Sequence, residues 1–257
     1  MRLLTEVAPG VHVATSAVYA TTSTVLVAPD GSCLVVDPGV TAHEIAALSS
    51  AIHDRGWSPV AVWSTHGHWD HLLDGALFRG LPRWSGGWPV DGETLTAERD
   101  ADEVLAHALL ADPTDSPAPI ARPPVPYPQV DGLLAWQGPP TRVLEHSAHA
   151  AGSTALVVAS AGVLLAGDLL SDVEIPLLDL GAPDPIGDYR AALTAMSTLS
   201  LDLVVPGHGH VGALAPRVAA DLAYIDALAA GSDPDDPRLA DPWSTAVHDS
   251  HRAAVGR

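Results

Sequence analysis

The sequence predicts a mixed α/β (α+β) sandwich whose functional edge lies at one end of its sheets, and three observations predict it. Short β-branched runs bounded by Gly, Pro and Asp alternate with stretches whose apolar residues recur at helical spacing. Polar residues capable of chemistry gather just after the strand-like runs. No segment repeats with a period of roughly 20–50 residues, so solenoids and propellers are excluded. Elements of both kinds must then cover one another in layers.

Taken in order, Val11 to Thr15, Thr24 to Ala28 and Cys33 to Asp37 read as antiparallel strands, with Pro29-Asp30-Gly31 as the turn joining the last two. A helix follows from Thr41, because Ile45, Leu48 and Ile52 fall on one side and Gly56 stands just past its end. Val60 to Thr65 is a buried strand that runs into His66-Gly67-His68-Trp69-Asp70-His71, and a helix is expected from Asp70 to Phe78. From about 80 to 140 the pattern gives way to Gly, Trp and Pro, with only Thr96 to Ala111 helical in spacing. Proline fixes backbone angles and removes a hydrogen-bond donor, so this stretch reads as a stiff surface insertion in a single domain of residues 1–257. Strands resume at Arg142 to Glu145, Thr154 to Ala159 and Val163 to Ala166, followed by a helix over Asp188 to Leu199. Leu203 to Val205 leads into Pro206-Gly207-His208-Gly209-His210. An amphipathic helix carrying Val218, Leu222, Ile225 and Leu228 precedes an acidic, proline-rich tail from Gly231.

Composition narrows the partners. The chain has 31 acidic and 12 basic residues, a net charge of −19, and every basic residue is arginine. A field of that sign repels phosphates, so neither nucleic acid nor an anionic membrane is an expected partner. Apolar runs stay at strand length, far below the ~18 residues of a membrane span. Cys33 is the single cysteine, which precludes an intrachain disulfide, and Gly10 interrupts the N-terminal segment before a secretory core forms. The expectation is a cytoplasmic protein acting on a small molecule.

His66, His68, Asp70 and His71 place four metal-binding side chains in six residues directly after an apolar strand. Residues two apart in extended backbone point the same way, so His66 and His68 can reach one ion while Asp70 and His71, on the turn beyond, point toward a second. Gathering such groups at a buried strand end without a cation is costly.

The His-x-His-x-Asp-His run resembles the signature of the metallo-β-lactamase-fold metallohydrolases, and further segments extend the resemblance. Val35-Val36-Asp37-Pro38-Gly39 is similar to that family's strand-end Asp, His146-Ser147-Ala148-His149-Ala150-Ala151-Gly152-Ser153 to its third histidine segment, Leu164 to Asp168 to its Gly-Asp, and Pro206 to Gly209 to its Pro-Gly-His-Gly. Ser147-Ala148 and Ala150-Ala151 replace the usual Pro-Gly and Thr-Pro around His149, which leaves His146 as the alternative ligand there. The resemblance implies a four-layer αββα sandwich of the glyoxalase II and lactonase type. It also implies two divalent ions: His66, His68 and His149 on the first, Asp70, His71 and His208 on the second, and Asp168 bridging. The donor set suits zinc and also permits iron or manganese. Asp37 is expected to orient a ligand from behind.

Two such ions lower a bound water's pKa toward neutrality, so a metal-bridged hydroxide is the expected nucleophile, with Asp70 steering it, on a carboxylic ester, lactone or thioester. Trp84, Trp88, Tyr127 and Trp136 of the insertion are the candidates for a cleft wall, with Tyr189 as a candidate carbonyl contact. Such a wall would suit an uncharged, partly apolar substrate. A mononuclear iron oxygenase of the persulfide-dioxygenase type is the alternative, ahead of a β-lactamase or a non-catalytic binding module. The insertion could serve a homodimer as readily as a lid. His210 reads as a loop residue, and His12, His43, His53, His107, His248 and His251 as surface or core positions.

Overall fold

Strand alternation sorts the apolar side chains into three layers. The computed structural model describes residues 3–87 and 91–255. Its first sheet has seven strands in chain order: β1 (Thr5–Ala8), β2 (Val11–Thr15), β3 (Thr22–Val27), β4 (Ser32–Val36), β5 (Ser58–Trp63), β6 (Arg83–Ser85) and β7 (Val125–Pro126), with α1 (Ala42–Asp54) crossing between β4 and β5. Along these strands Val25, Cys33, Val35 and Val62 meet Ile45, Leu48 and Ile52 of α1, whereas Leu26, Leu34, Val36, Ala61 and Trp63 face inward. This is the period-two signature of a sheet covered on both faces.

Between the sheets in sequence lie α2 (Gly92–Asp100), α3 (Glu103–Ala111) and the short pair β8 (Gln129–Val130) and β9 (Leu133–Leu134). The second sheet comprises β10 (Arg142–His146), β11 (Ser153–Val158), β12 (Val163–Leu165), β13 (Leu203–Val205) and β14 (Gly212–Ala213). Here α4 (Pro185–Ser197) is the crossover between parallel β12 and β13, and α5 (Leu214–Ala229) follows β14. Leu156, Val158, Val163, Leu165 and Val205 share the inter-sheet core with the first sheet, while Ala155, Val157, Leu164 and Val204 pack with Leu193, Met196, Val218 and Ile225 of the outer helices. The order helix, sheet, sheet, helix is the expected four-layer sandwich. No helix among the described residues is long and apolar enough to cross a membrane.

Four local expectations are corrected. The helix expected over 70–78 is a single 3-10 turn, Trp69–His71. Beyond it the chain pairs with the proline-rich stretch instead: the Ala121 N–H donates to the Leu72 carbonyl at 2.7 Å, and the Asp74 N–H to the Pro119 carbonyl at 2.9 Å. The insertion is more than a surface excursion, since β6 and β7 extend the first sheet by parallel pairing. Its expected helix is two, broken where Asp102 leaves α2 behind and caps α3 through the Leu105 N–H. The C-terminal tail is also structured, as a 3-10 turn Pro237–Ala240 and α6 (Pro242–Val255). Buried His248 and His251 of α6 meet Tyr224 of α5 at 2.9 and 3.2 Å.

Candidate metal centre

Parallel strands leave their carboxyl ends on one edge, and loops from those ends converge there. Asp37 follows β4, His66 to His71 follow β5, Asp168 follows β12 and His208 follows β13. His149 comes from the β10–β11 turn, and the 16–21 loop before β3 reaches the same edge, where Thr21 bridges His208. That loop is tied to α1: Glu44, which closes a capping box with Thr41, also accepts from the Ser16 hydroxyl at 2.7 Å and the Ala17 N–H at 3.0 Å.

The structure brings all seven expected ligands together in two groups: His66, His68, His149 and Asp168, and Asp70, His71 and His208. In the first, His68 Nδ1 lies 3.0 Å from His66 Nε2 and 2.9 Å from His149 Nε2. In the second, His71 Nε2 and His208 Nε2 are 3.3 Å apart, with Asp70 Oδ2 at 3.4 and 3.3 Å from them. Asp168 reaches both groups. Its Oδ2 is 3.3 Å from His66 Nε2, 3.4 Å from His149 Nε2 and 3.2 Å from His208 Nε2, and its Oδ1 is 3.1 Å from His71 Nε2. Gly207 makes room for this carboxylate, because a Cβ there would collide with Asp168 Oδ1.

Outer partners fix the tautomers of four of these rings. His149 Nδ1 donates to the Leu177 carbonyl at 3.0 Å and His208 Nδ1 to the Tyr19 carbonyl at 3.1 Å, since a carbonyl can only accept. His71 Nδ1 donates to Asp37 Oδ2 at 3.0 Å. The Thr65 hydroxyl donates to Asp37 at 2.7 Å and therefore accepts from His66 Nδ1 at 3.1 Å. In the neutral rings each Nε2 then turns a lone pair inward. Convergent nitrogen lone pairs, two carboxylates and a buried Asp168 Oδ1 without a hydrogen-bond partner fit a divalent cation of the zinc, iron or manganese type. Asp37, buried and also accepting the Thr65 N–H at 2.9 Å, holds a left-handed φ of 47° to do this.

The charges in the two groups differ. Burial dominates at His68 and His149 and lowers their pKa to about 4 and about 3. At His71 and His208 burial opposes protonation too, yet the surrounding carboxylates, Asp168 foremost, outweigh it and hold both well above the usual imidazole range. The same cations overcome burial at Asp70 and Asp168 and keep both carboxyls well below theirs.

A cavity of about 230 Å³ opens over both groups, and its wall includes Tyr19, Trp69, Asp102, Glu174, Leu177 and Trp243. None of the aromatic residues expected to form that wall does so among the described residues. Trp84, Tyr127 and Trp136 pack into the inter-sheet core, because the insertion's strands continue the first sheet. Tyr127 packs against Trp63 in a tilted arrangement with centroids 5.0 Å apart. Tyr189, on α4, is fully buried in the core between that helix and the second sheet, and Trp88 lies outside the described residues. The basis for an apolar, uncharged substrate goes with them. His146 stays outside both ligand groups, its Nδ1 taken by the Ala148 N–H. His210 is a loop residue beside Asp172.

Residues 18–208, a span that contains every one of these ligands, match the family model of the Metallo-beta-lactamase superfamily. The chain belongs to that superfamily. It is similar to a hydroxyacylglutathione hydrolase of Ruegeria pomeroyi (strain ATCC 700808 / DSM 15171 / DSS-3), 30% identical over 170 residues, covering 66% of this chain and 56% of that enzyme. The match thus spans just over half of that relative's length. A probable metallo-hydrolase, YqgX of Bacillus subtilis (strain 168), is 28% identical over 185 residues, 70% of this chain and 81% of the other. Among solved structures, the metallo-beta-lactamase family protein TTHA1429 from Thermus thermophilus shares the fold with a TM-score of 0.64 at 21% identity, over 88% of this chain and 83% of that one. TTHA1623, solved in a di-iron-bound form, aligns with a TM-score of 0.56 at 25% identity, over 79% and 94% of the two chains.

Within this superfamily frame, sequence reasoning found Asp37 behind His71 but missed the other groups that support the ligands from outside. The carbonyls of Tyr19 and Leu177 carry no side-chain code. Trp243 sits in the tail that reads as acidic linker, and Arg238, from the same tail, pins the Asp168 loop from behind. Its guanidinium donates to the Ser171 and Glu174 carbonyls at 2.9 Å and to Asp221 at 2.7 Å, and it is also paired with Asp236. Arg238, the first of three arginines in the tail and set just after its Asp233-Pro234-Asp235-Asp236 run, was the only available signal.

Proposed function

We propose that this chain is a hydrolase of small carboxylic thioesters, esters or lactones that works with two divalent cations. The observation that carries the reading is Asp168, one carboxylate within 3.1–3.4 Å of ring nitrogens from both ligand groups. His66, His68 and His149 would hold one ion, Asp70, His71 and His208 the other, and Asp168 both. When bound, such a pair supplies Lewis-acid polarisation of the substrate carbonyl and water that ionises near neutral pH. Five imidazoles suit zinc, and the di-iron form of TTHA1623 makes iron the other candidate.

The chain's own residues do the rest. Asp70, ionised and on the cavity wall, accepts a hydrogen bond from the attacking water and orients it. The water oxygen bonds to the acyl carbon, the acyl C–S or C–O bond breaks, one water proton passes to the departing thiol or alcohol, the other is released to solvent, and the acid leaves as carboxylate. Buried Cys33, its thiol pushed up to about 12 by burial, takes no part. The names of the curated relatives support the thioester class. An oxygenase needing one iron would leave Asp70, His71 and His208 without a shared task.

The test is metal-reconstituted protein against panels of thioesters, lactones, phosphoesters and lactams, alongside elemental analysis. Two ions per chain and turnover of acyl substrates without oxygen uptake are expected, and Asp168→Ala should lose metal and activity together. Oxygen-dependent turnover with one iron, or retention of both properties in Asp168→Ala, would overturn the proposal.

A further inference from the structure

The wall of the metal cavity contains no arginine among the described residues, and the chain has no lysine. Besides the ligands its only charged groups are Asp102 and Glu174. Asp102 is already engaged, accepting the Tyr19 hydroxyl at 2.6 Å and the Leu105 N–H at 2.7 Å. Glu174 is different. Its backbone is held from both sides, by the Ser171 hydroxyl oxygen on its N–H at 3.0 Å and by Arg238 on its carbonyl at 2.9 Å. Two arginines touch this loop among the described residues: Arg238, which Asp221 and Asp236 neutralise, and Arg217, which donates to the Leu170 carbonyl at 2.9 Å and pairs with Asp172 at 3.2 Å. Burial pushes the Glu174 carboxyl up to about 7, with Asp168 and Asp70 adding to the effect against His208.

Aromatic residues stand on the same wall: Tyr19, Trp69, and Trp243, which is 49% exposed although it is the largest kind of side chain. A carboxylate with indole and phenol groups in one small cavity is the composition that receives an ammonium ion. A chain of net charge −19 also draws cations toward its clefts and turns anions away. The cavity of about 230 Å³ opens to solvent and has room over the ligand groups for a short acyl group.

We infer that the substrate carries an ammonium group, received at the cavity wall by Glu174 with Trp243, Trp69 and Tyr19, while its acyl carbon lies over the ligand groups. The inference rests on the hydrolase reading and names its substrate class. It makes Glu174 and Trp243 specificity residues, and it disfavours acyl compounds whose handle is a carboxylate or phosphate.

The experiment compares two probes on the metal-loaded full-length protein, acetylthiocholine and its neutral carbon isostere S-(3,3-dimethylbutyl) thioacetate. A parallel titration with tetramethylammonium follows tryptophan fluorescence. The expected result is a KM about tenfold lower for acetylthiocholine at similar kcat, on the order of one cation–π contact plus a charge pair. Glu174→Gln should erase that preference by raising only the acetylthiocholine KM, and Trp243→Leu should reduce both the preference and the fluorescence response. Turnover of both probes with equal KM would overturn the ammonium site and leave the hydrolase reading standing. A Glu174→Gln loss of kcat equal on both probes would overturn it too, assigning the carboxyl to proton transfer. Glu174-dependent tetramethylammonium binding without turnover of either probe would support the site and count against thioester hydrolysis. Neither binding nor turnover would sink both.

Discussion

Replacing Asp37 by Asn tests whether a residue that touches no substrate sets the affinity of one ligand group. Its carboxylate accepts three hydrogen bonds, from the Thr65 N–H at 2.9 Å, the Thr65 hydroxyl at 2.7 Å and His71 Nδ1 at 3.0 Å. An amide of the same shape cannot satisfy this set. With its oxygen toward the Thr65 N–H, its NH2 faces the His71 Nδ1–H; flipped, the NH2 faces the fixed backbone donor instead. The first arrangement is relieved if the His71 proton moves to Nε2, which removes the inward lone pair. Outer-partner changes of this kind cost about 10–100-fold in metal affinity, or roughly 1.4–2.8 kcal/mol at 1.4 kcal/mol per decade. The loss should be largest at the Asp70, His71 and His208 group, which Asp37 touches directly, and smaller at the other, which it reaches only through the Thr65 hydroxyl on His66 Nδ1; a competition titration against a chromophoric chelator resolves the two affinities. A buried donor left unsatisfied adds roughly 1–3 kcal/mol of destabilisation, so Tm should fall by several degrees without loss of fold. Unchanged affinity at the His71 group would refute the tautomer argument, whatever happened to Tm.

Three further outcomes are expected. Gly207→Ala should lose metal retention and activity while keeping its far-UV spectrum, because the added Cβ collides first with Asp168 Oδ1 and presses more mildly on the Gly167 backbone; an active, metal-loaded variant would contradict that. Tyr224→Phe removes the hydroxyl between His248 and His251 and should lower stability by about 1–3 kcal/mol, read as a Tm drop at roughly 2–4 °C per kcal/mol for a chain of this size; an unchanged Tm would mean that α6 does not need the bridge. Metal uptake should tighten as pH rises, and unequally. His71 and His208, held above the usual imidazole range, carry protons at neutral pH that must leave, about two per ion, whereas His68 and His149, lowered to about 4 and about 3, have none to release. Calorimetry in buffers of different ionisation enthalpy counts those protons, and equal release at both groups would refute the charge assignment.

The legible part of this molecule was whatever its local sequence had to declare. Metal ligands need polar side chains at fixed places just beyond buried strands, so His66 to His71, His149, Asp168 and His208 stand out from the β-branched runs before them. The period-two sorting of Leu34 and Val36 from Cys33 and Val35 likewise follows from residue type alone. Less was legible where tertiary pairing outranked local pattern. The segment after Asp70 has helical spacing, but the backbone of 119–121 takes its hydrogen bonds. Trp84 and Trp136 read as cleft residues only while the insertion was taken for a lid; once β6 and β7 join the sheet, the inter-sheet core receives those rings.

The hardest part to read is the support behind His208, which illustrates how backbone can act as a functional group. The Tyr19 carbonyl that fixes the His208 tautomer comes from a turn in which Tyr19 and Ala20 both hold left-handed φ values, 54° and 52°. Non-glycine residues in that region cost on the order of 1–3 kcal/mol each. The turn persists because it is held at several points: Ser16 and Ala17 on Glu44, the Thr22 N–H on the Gly207 carbonyl at 2.7 Å, and the Gly209 N–H on the Ala20 carbonyl at 3.0 Å. The same turn places the Tyr19 side chain on the cavity wall, with its hydroxyl on Asp102. One strained turn therefore couples the orientation of a ligand to the shape of the cavity. Relaxing it with glycine at 20 would loosen both together although Ala20 is no ligand, and glycine at 19 would in addition remove the Tyr19 ring that stands edge-on to His208 with centroids 6.0 Å apart.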